Sequence, residues 1–241
     1  MKKINYLLGY DNLKIYQDDE KFKFSLDSVL LANFVSITKK TKRILDIGCG
    51  NAPISLILTT RTKALIDGVE IQNEISEMAI DSIKYNQLEG QIKIYNDDIN
   101  NYYKNVESDF YDTIVCNPPY FKVSHNSFYN KNECKTIARH EIYLTLENIF
   151  LIAKKILKNN GVISIVHRPE RLCEILVMMK KYNIEPKKIQ FVYPKINKEA
   201  NIVLIEGVKN GSCGIKFLPP LFIYDENNKY TKEVLQYFER R

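Results

Sequence analysis

Residues 116–120 read Cys-Asn-Pro-Pro-Tyr and follow the apolar run YDTIV. Two adjacent prolines fix φ and remove two main-chain donors, so the backbone there offers only carbonyl acceptors. Asn117 adds a side-chain carbonyl, and Tyr120 adds a flat ring. Two acceptors beside a ring suit a planar amide or an aromatic amine. Such a nitrogen is a poor nucleophile because its lone pair is delocalised. If its two protons are donated to the Asn117 side chain and the Pro118 carbonyl, it is drawn toward a tetrahedral, more nucleophilic form. Stacking on Tyr120 then aims it. This chemistry is orientation and charge placement, and it needs no strong base. Pro119 completes the stiff frame, so residues 117–120 are the candidate catalytic set.

A second constellation lies upstream. DIGCGN (46–51) follows a short apolar run and leads into a helix-like stretch that opens at Pro53. Gly48 and Gly50 permit a tight turn and a close approach of backbone to ligand. A dinucleotide fingerprint has a third glycine three residues after the second. Here that position is Pro53, which weakens a pyrophosphate reading and leaves a phosphate-free nucleoside such as S-adenosylmethionine. Glu70 ends the next apolar run, placed for a carboxylate that accepts from both ribose hydroxyls. Asp97 and Asp98 follow the third run, placed to accept from an adenine amino group. Any one of these acids alone is more often a helix cap or a solvated turn. Acids at the carboxyl ends of adjacent strands behind a glycine loop converge on one crevice.

The elements that must position these residues alternate. RILDIG (43–48), ALIDGVEI (64–71), QIKIY (91–95), YDTIVC (111–116) and GVISIVH (161–167) read as strands. Helical periodicity runs from Pro53 to about Thr60, from Asn73 to about Gln87, over 146–159 and over 169–182. IQFVY (189–193) and NIVLIEGV (201–208) are close enough in sequence to pair as an antiparallel hairpin. The expected fold is α/β and Rossmann-like: a mostly parallel seven-stranded sheet, helices on both faces and a C-terminal antiparallel hairpin. Residues 1–40 read as an extension, with a hairpin in GYDNLKIYQDDEKFKF (9–24) and a helix over 26–37. It is expected to pack on the domain formed by 41–241, giving one compact unit. TKEVLQYFERR (231–241) is expected to be a short helix.

Composition narrows the classes. The chain has 241 residues, 45% of them hydrophobic and 27% charged. No apolar run approaches the ~18 residues needed to span a membrane, and the N-terminus lacks a secretory pattern. Five scattered cysteines form no Cys-x-x-Cys pair, so reduced thiols, no metal site and a cytoplasmic setting are expected. The net charge of +6 is uneven: residues 1–150 carry −2 and residues 151–241 carry +8. A basic half beside a near-neutral half suits a polyanionic partner, although a lysine-rich solvated surface has the same signature.

With these residues together, the chain resembles the class I S-adenosylmethionine-dependent methyltransferases of the Asn-Pro-Pro-Tyr type. Within them it is most similar to the bacterial tRNA (adenine-N6)-methyltransferases that act on adenine 37 of a valine tRNA. The resemblance covers nearly the whole chain and rests on FKFSLDSVLLANF (22–34), DIGCG, NPPYF, ARHE (138–141) and HRPERL (167–172). Ala52–Pro53 departs from it, since many members carry a further glycine there. The resemblance implies that Phe24, Asp27 and Ser28 close the pocket around the methionine end of the donor. It implies that Asp46, Gly48, Gly50, Glu70, Asp98 and Asn117 line the donor site and that Asn117, Pro118 and Tyr120 act on the base. Phe121 would support the base on its other face.

The long polar segment 122–139 reads as a substrate loop, with Arg139 and His140 at its end. His167 and Arg168 close the fifth strand on the substrate side. An internal Arg139–Glu141 pair and a satisfied strand-end histidine are the competing readings. Lys154, Lys155, Lys158, Lys180, Lys181, Lys187 and Lys188 are candidates for phosphate contacts. The expected partner is tRNA, with the chain acting as a monomer. Two other substrate classes share the tetrapeptide: glutamine N5 of a release factor and guanine N2 of ribosomal RNA. The first usually brings a helical domain before the glycine loop, where this chain has only 45 residues; the second often has a duplicated domain. A noncatalytic nucleotide-binding module has no need of Asn117 and Tyr120 together.

Overall fold

The computed structural model describes residues 2–18, 25–118, 120 and 144–238. In chain order, β1 (Lys2–Leu7) and β2 (Tyr10–Asp18) form a hairpin, followed by α1 (Leu26–Phe34), β3 (Arg43–Ile47) and α2 (Pro53–Thr59). Next come β4 (Leu65–Glu70), α3 (Asn73–Tyr85), β5 (Ile92–Asn96), α4 (Ile99–Tyr102) and β6 (Tyr111–Cys116). The second half contains α5 (Leu146–Ile156), β7 (Leu157–His167), α6 (Leu172–Lys181), β8 (Ile184–Tyr193) and β9 (Ile202–Lys209). Two short strands, β10 (Lys216–Phe217) and β11 (Leu221–Phe222), and α7 (Lys232–Phe238) close the chain.

The main sheet runs β8-β9-β7-β6-β3-β4-β5, with β10 and β11 both pairing β8. From β7 to β5 every neighbour is parallel, whereas β9 is antiparallel to both β7 and β8. This is the class I methyltransferase fold expected from the sequence. The order reverses beside β3, which has β4 on one side and β6 on the other. Ligands of open α/β sheets bind at the carboxyl ends of strands flanking such a switch point. The glycine loop leaves β3 there, and Asn117 leaves β6 there.

Two apolar layers sandwich the sheet. One joins α1 and α2 to Ile44, Ile66 and Leu204. The other joins α5 to Leu45, Ile114, Ile163 and Ile205. The N-terminal extension is bound to this body by polar contacts. In β2, the Lys14 and Tyr16 amides donate to Asn86 Oδ1 at 3.0 Å and Ser82 Oγ at 2.9 Å, both on or just after α3. After α1, buried Glu206 accepts from the Ser36 amide at 2.7 Å, the Ser36 hydroxyl at 2.6 Å and the Ser164 hydroxyl at 2.7 Å. Lys188 Nζ lies 3.1 Å from the same carboxylate and donates to Phe34 O at 2.7 Å.

Several boundaries differ from the sequence reading. The hairpin begins at Lys2 and turns at Leu8–Gly9, so it pairs residues upstream of the expected stretch. α1 ends at Phe34, where Val35 turns to extended backbone. The helix read over 146–159 stops at Ile156, because Leu157 joins the sheet opposite Tyr111. The register then slips around Asn160, which has φ 61°. The sheet has nine strands, not seven. Its two extra edge strands are only two residues each, and the prolines at 219–220 separate them, too short for alternation to register.

Candidate active site

The glycine loop is shaped by left-handed backbone at three positions: Gly48 at φ 64°, Gly50 at φ 58° and Ala52 at φ 69°. Ala52 therefore takes the bend that glycine takes in the resembling family, and Pro53 opens α2 directly behind it. The loop survives the departure in sequence. Glu70, buried at the end of β4, holds this loop from below: the Gly50 amide donates to Oε2 at 3.0 Å and the Gln72 amide to Oε1 at 2.9 Å. Oε1 also takes a long contact from Gln72 Nε2 at 3.5 Å, whereas Oε2 keeps a second acceptor site for a ligand hydroxyl.

Asp46 is fully buried. Its Oδ2 accepts from the Ser55 hydroxyl at 2.7 Å, and its Oδ1 has no partner. Burial pushes its carboxyl up to about 7, opposed by the Ser55 hydrogen bonds and reinforced by the charge of Glu70. A buried acceptor without a donor is costly unless a ligand supplies one. A Cβ on Gly48 would meet only Leu144, at 3.7 Å, so the loop leaves open space there. The orphaned acceptor, the open loop and the spare capacity of Glu70 fit a donor with a cationic head and a ribose. Asp98 acts locally as the cap of α4, accepting from the Asn100 amide at 2.8 Å, while Asp97 Oδ1 accepts from the Asp98 amide at 2.7 Å. The Asp97 amide in turn donates to Glu70 O at 3.2 Å, which sets both aspartates beside the ribose-side acid.

Asn117 leaves β6 directly across the switch point. Its Nδ2 donates to Ser28 Oγ at 3.3 Å, and its Oδ1 lies 3.0 Å from the Tyr120 hydroxyl. That hydroxyl also lies 2.5 Å from Asp27 Oδ2. One hydroxyl has one proton, and the shorter contact to a carboxyl oxygen holds it more strongly. Asp27 thus draws the tyrosine proton away from Asn117 and leaves Oδ1 as an acceptor for an incoming amine. Burial, reinforced by Asp27, keeps the Tyr120 phenol well above its ordinary value, so it stays a donor.

The Tyr120 ring is itself framed. His167 packs against it at 5.3 Å between ring centres, and the Arg168 guanidinium lies 4.9 Å from its centre. His167 is buried, and its Nδ1 accepts from the Arg168 amide at 2.7 Å. Burial, with Arg171 nearby, lowers it to about 4, so it is neutral at pH 7 and adds no charge beside the ring. Cys116, next to Asn117, is fully buried; burial pushes its thiol well up and removes it as a thiolate nucleophile.

The structure therefore brings Asp27, Ser28, Asn117, Tyr120, His167 and Arg168 to one side of the crevice and Asp46, Gly48, Gly50, Glu70, Asp97 and Asp98 to the other. Phe24, Pro119, Phe121, Arg139 and His140 lie outside the described residues, as does the segment 122–139. The sequence reading set Asp27 against the donor and missed its contact with Tyr120. No local signal announces a contact across 93 positions. Most of the lysines read as phosphate contacts have internal acceptors: Lys158 in Asp112, Lys180 in Glu185, Lys181 in Glu147, Lys187 in the Ser212 carbonyl and Lys188 in Glu206. A groove of about 730 Å³ on the outer β4–β5 edge, lined by Arg43, Asp67 and Tyr102, meets the crevice only at Asp97. Asp67 in its lining is already paired, accepting from the Tyr111 hydroxyl at 2.7 Å.

Comparison with known proteins gives the family and the fold. Residues 24–184 match the pattern of the methyltransferase small domain. The chain is 27% identical over 231 residues to a tRNA1(Val) (adenine(37)-N6)-methyltransferase of Flavobacterium psychrophilum, covering 95% of this chain and 96% of that one. It is 27% identical to a protein of the same name from Parabacteroides distasonis, covering 84% and 83%. Among solved structures, one described as a predicted O-methyltransferase from Agrobacterium tumefaciens superposes with a TM-score of 0.71 at 20% identity, covering 89% and 96%. A geranyl diphosphate C-methyltransferase from Streptomyces coelicolor, solved with S-adenosyl-L-homocysteine, gives 0.55 at 10% identity, covering 76% and 80%.

Proposed function

The chain belongs to the methyltransferase small domain family, and from that premise we propose that it methylates the N6 amino group of an adenine in tRNA, using S-adenosylmethionine. Position 37 of a valine tRNA is the target named for the relatives it resembles over nearly their whole length. The same reading makes it a cytoplasmic enzyme working as a monomer. The observation that carries the chemistry is Asn117 Oδ1, held beside Tyr120 at the carboxyl end of β6, the strand that neighbours β3 and its glycine loop at the switch point.

Bound S-adenosylmethionine supplies an electrophilic methyl group on a sulfonium. The residues of this chain do the remainder. Asp46, Gly48, Gly50 and Glu70 hold and orient the donor, with Asp97 and Asp98 beside its base. Asn117 Oδ1 and the Pro118 carbonyl accept the two protons of the adenine amine and localise its lone pair. Tyr120 stacks under the base, kept in plane by His167 and Arg168. Burial makes His167 too weak a base to take the amine proton and keeps the Tyr120 phenol protonated, so the amine proton leaves after transfer. An adenine reaches such a pocket only when unstacked, which favours a single-stranded loop over a duplex.

The test is nucleoside mass spectrometry on unmodified bulk tRNA incubated with the protein and S-adenosylmethionine. N6-methyladenosine should appear with the wild type and be absent with Asn117→Ala. Label entering a protein fraction instead, with no methylated nucleoside, would assign the chemistry to glutamine.

A further inference from the structure

Beyond His167 and Arg168, which frame Tyr120, the rim carries rings and two lysines, Lys195 and Lys198, that the transfer step does not use and that no carboxylate among the described residues holds. His167, Val203 and Phe191 are level across β7, β9 and β8. Tyr193 lies two residues further along the same face of β8, and β11 sets Phe222 beside it, with ring centres 5.3 Å apart. Tyr224, two positions on, is 36% exposed and stacks on Tyr230 at 5.2 Å and 20°. The β8–β9 connection, residues 194–201, projects from the carboxyl end of β8, the edge where Asn117 sits. It carries Lys195, Lys198 and Ile196, the last 66% exposed. It is tied to the site, because Arg168, which covers the Tyr120 ring, donates from Nη1 to Asn201 O at 2.8 Å.

Among the described residues no carboxylate pairs with Arg168, Lys195 or Lys198. This contrasts with the lysines of α6 and of the first half of β8, which point to internal acceptors at the far edge of the sheet. From β7 to β11 is three strand steps, about 14 Å at ~4.8 Å each, the length of about four stacked nucleotides. An exposed ring such as Tyr224, on the same rim as lysines that no carboxylate among the described residues holds, is what a single strand of nucleic acid requires.

We propose that this rim, from Arg168 through the 194–201 connection to Tyr224, binds the single-stranded nucleotides flanking the target adenine, with Lys195 and Lys198 on phosphates and Tyr224 under a base. The proposal rests on the RNA reading of the catalytic pocket and adds the surface that delivers the base to it. The rim is a binding surface, not part of the chemistry.

The test is direct binding of an unmodified anticodon stem-loop RNA, and of a loopless duplex of equal charge, to full-length protein, with turnover measured in parallel. The variants are Lys195→Ala/Lys198→Ala and Tyr224→Ala. Lys39→Ala/Lys40→Ala, exposed at the opposite edge of the sheet, removes the same charge as a control. The expected result at ~0.15 M salt is a rise of about tenfold in stem-loop Kd for each rim variant, little change for the duplex, and kcat within about twofold of wild type. The Lys195/Lys198 pair should also reduce the dependence of log Kd on log salt by about 1.4, at ~0.7 per phosphate. The control should leave all of these near wild type. Wild-type methylation of the stem-loop with rim variants that bind like wild type would overturn the rim and leave the catalytic reading standing. A wild type that neither binds nor methylates the RNA would overturn both.

Discussion

The Tyr120 hydroxyl stands between two side chains that want its proton, Asp27 Oδ2 at 2.5 Å and Asn117 Oδ1 at 3.0 Å. Asp27 takes it. On the proposed reading Tyr120 has two functions, a ring that supports the base and a hydroxyl that fixes the frame without occupying the Asn117 acceptor. Tyr120→Phe keeps the ring and should lower kcat about tenfold while leaving donor affinity unchanged, in line with one hydrogen bond to a charged group. Asp27→Asn should cost a similar amount. If the two act through one contact, the double variant should be little worse than either single one; full additivity in steady-state kinetics would separate them.

Asn117→Ala removes the side-chain acceptor for the amine. Turnover should fall by about 10²- to 10³-fold, the usual cost of losing one preorganised polar group at a reacting centre. Calorimetric affinity for S-adenosylhomocysteine should stay near wild type. A parallel loss of donor affinity would move Asn117 from the base to the donor.

Gly48→Ala tests the donor cradle. The new methyl has room in the folded protein, where only Leu144 comes near, but it forces alanine to φ 64°. Stability should drop by about 1–2 kcal/mol from that backbone alone. Donor affinity should drop more than tenfold, because the methyl projects into the space the loop leaves open. A thermal melt shifted by the donor as much as in wild type would show that the loop is not its seat.

Glu206 ties the end of α1 to β7, β8 and β9 through Ser36, Ser164 and Lys188. Replacing it with alanine strands a largely buried ammonium and three donors. Urea unfolding should show a loss of about 3–5 kcal/mol. Glu206→Leu combined with Lys188→Met should lose much less, since no charge is then left buried. Equal losses in the single and the double variant would place the effect in packing.

His167, held near 4 by burial, and an ordinary histidine near 6.5 differ in proton uptake on unfolding. Between these values the unfolded chain binds the proton and the folded chain does not. The contribution is complete above about 6.5 and is lost as pH falls toward 4, up to about 3 kcal/mol. Asp46, raised to about 7, acts with the opposite sign, stabilising less as pH rises through the same range. The His167→Gln variant isolates the first: its stability relative to wild type should grow as pH is lowered from 6.5 to 4. A pH-independent difference in urea midpoints would refute the assignment.

Much of this was legible before any coordinates. Alternating apolar runs fixed a parallel sheet, because strand and helix periods differ and cannot be exchanged without exposing a core face. Asp46, Glu70 and Asn117 were readable as a candidate site because strand ends in an α/β sheet converge on the switch point, so order along the chain already implies proximity. What sequence could not carry were the contacts between distant segments and the free or engaged state of each charge. Asp27 meets Tyr120, and Glu206 gathers Ser36, Ser164 and Lys188, only because α1 folds back over the carboxyl ends and the far half of the sheet. Most of the lysines read as phosphate contacts have carboxylates or carbonyls of their own, whereas Lys195 and Lys198, unremarkable in sequence, have no carboxylate partner among the described residues. A lysine codes for a charge; whether an acceptor inside the protein already holds it is decided by geometry, and only the tertiary structure supplies that.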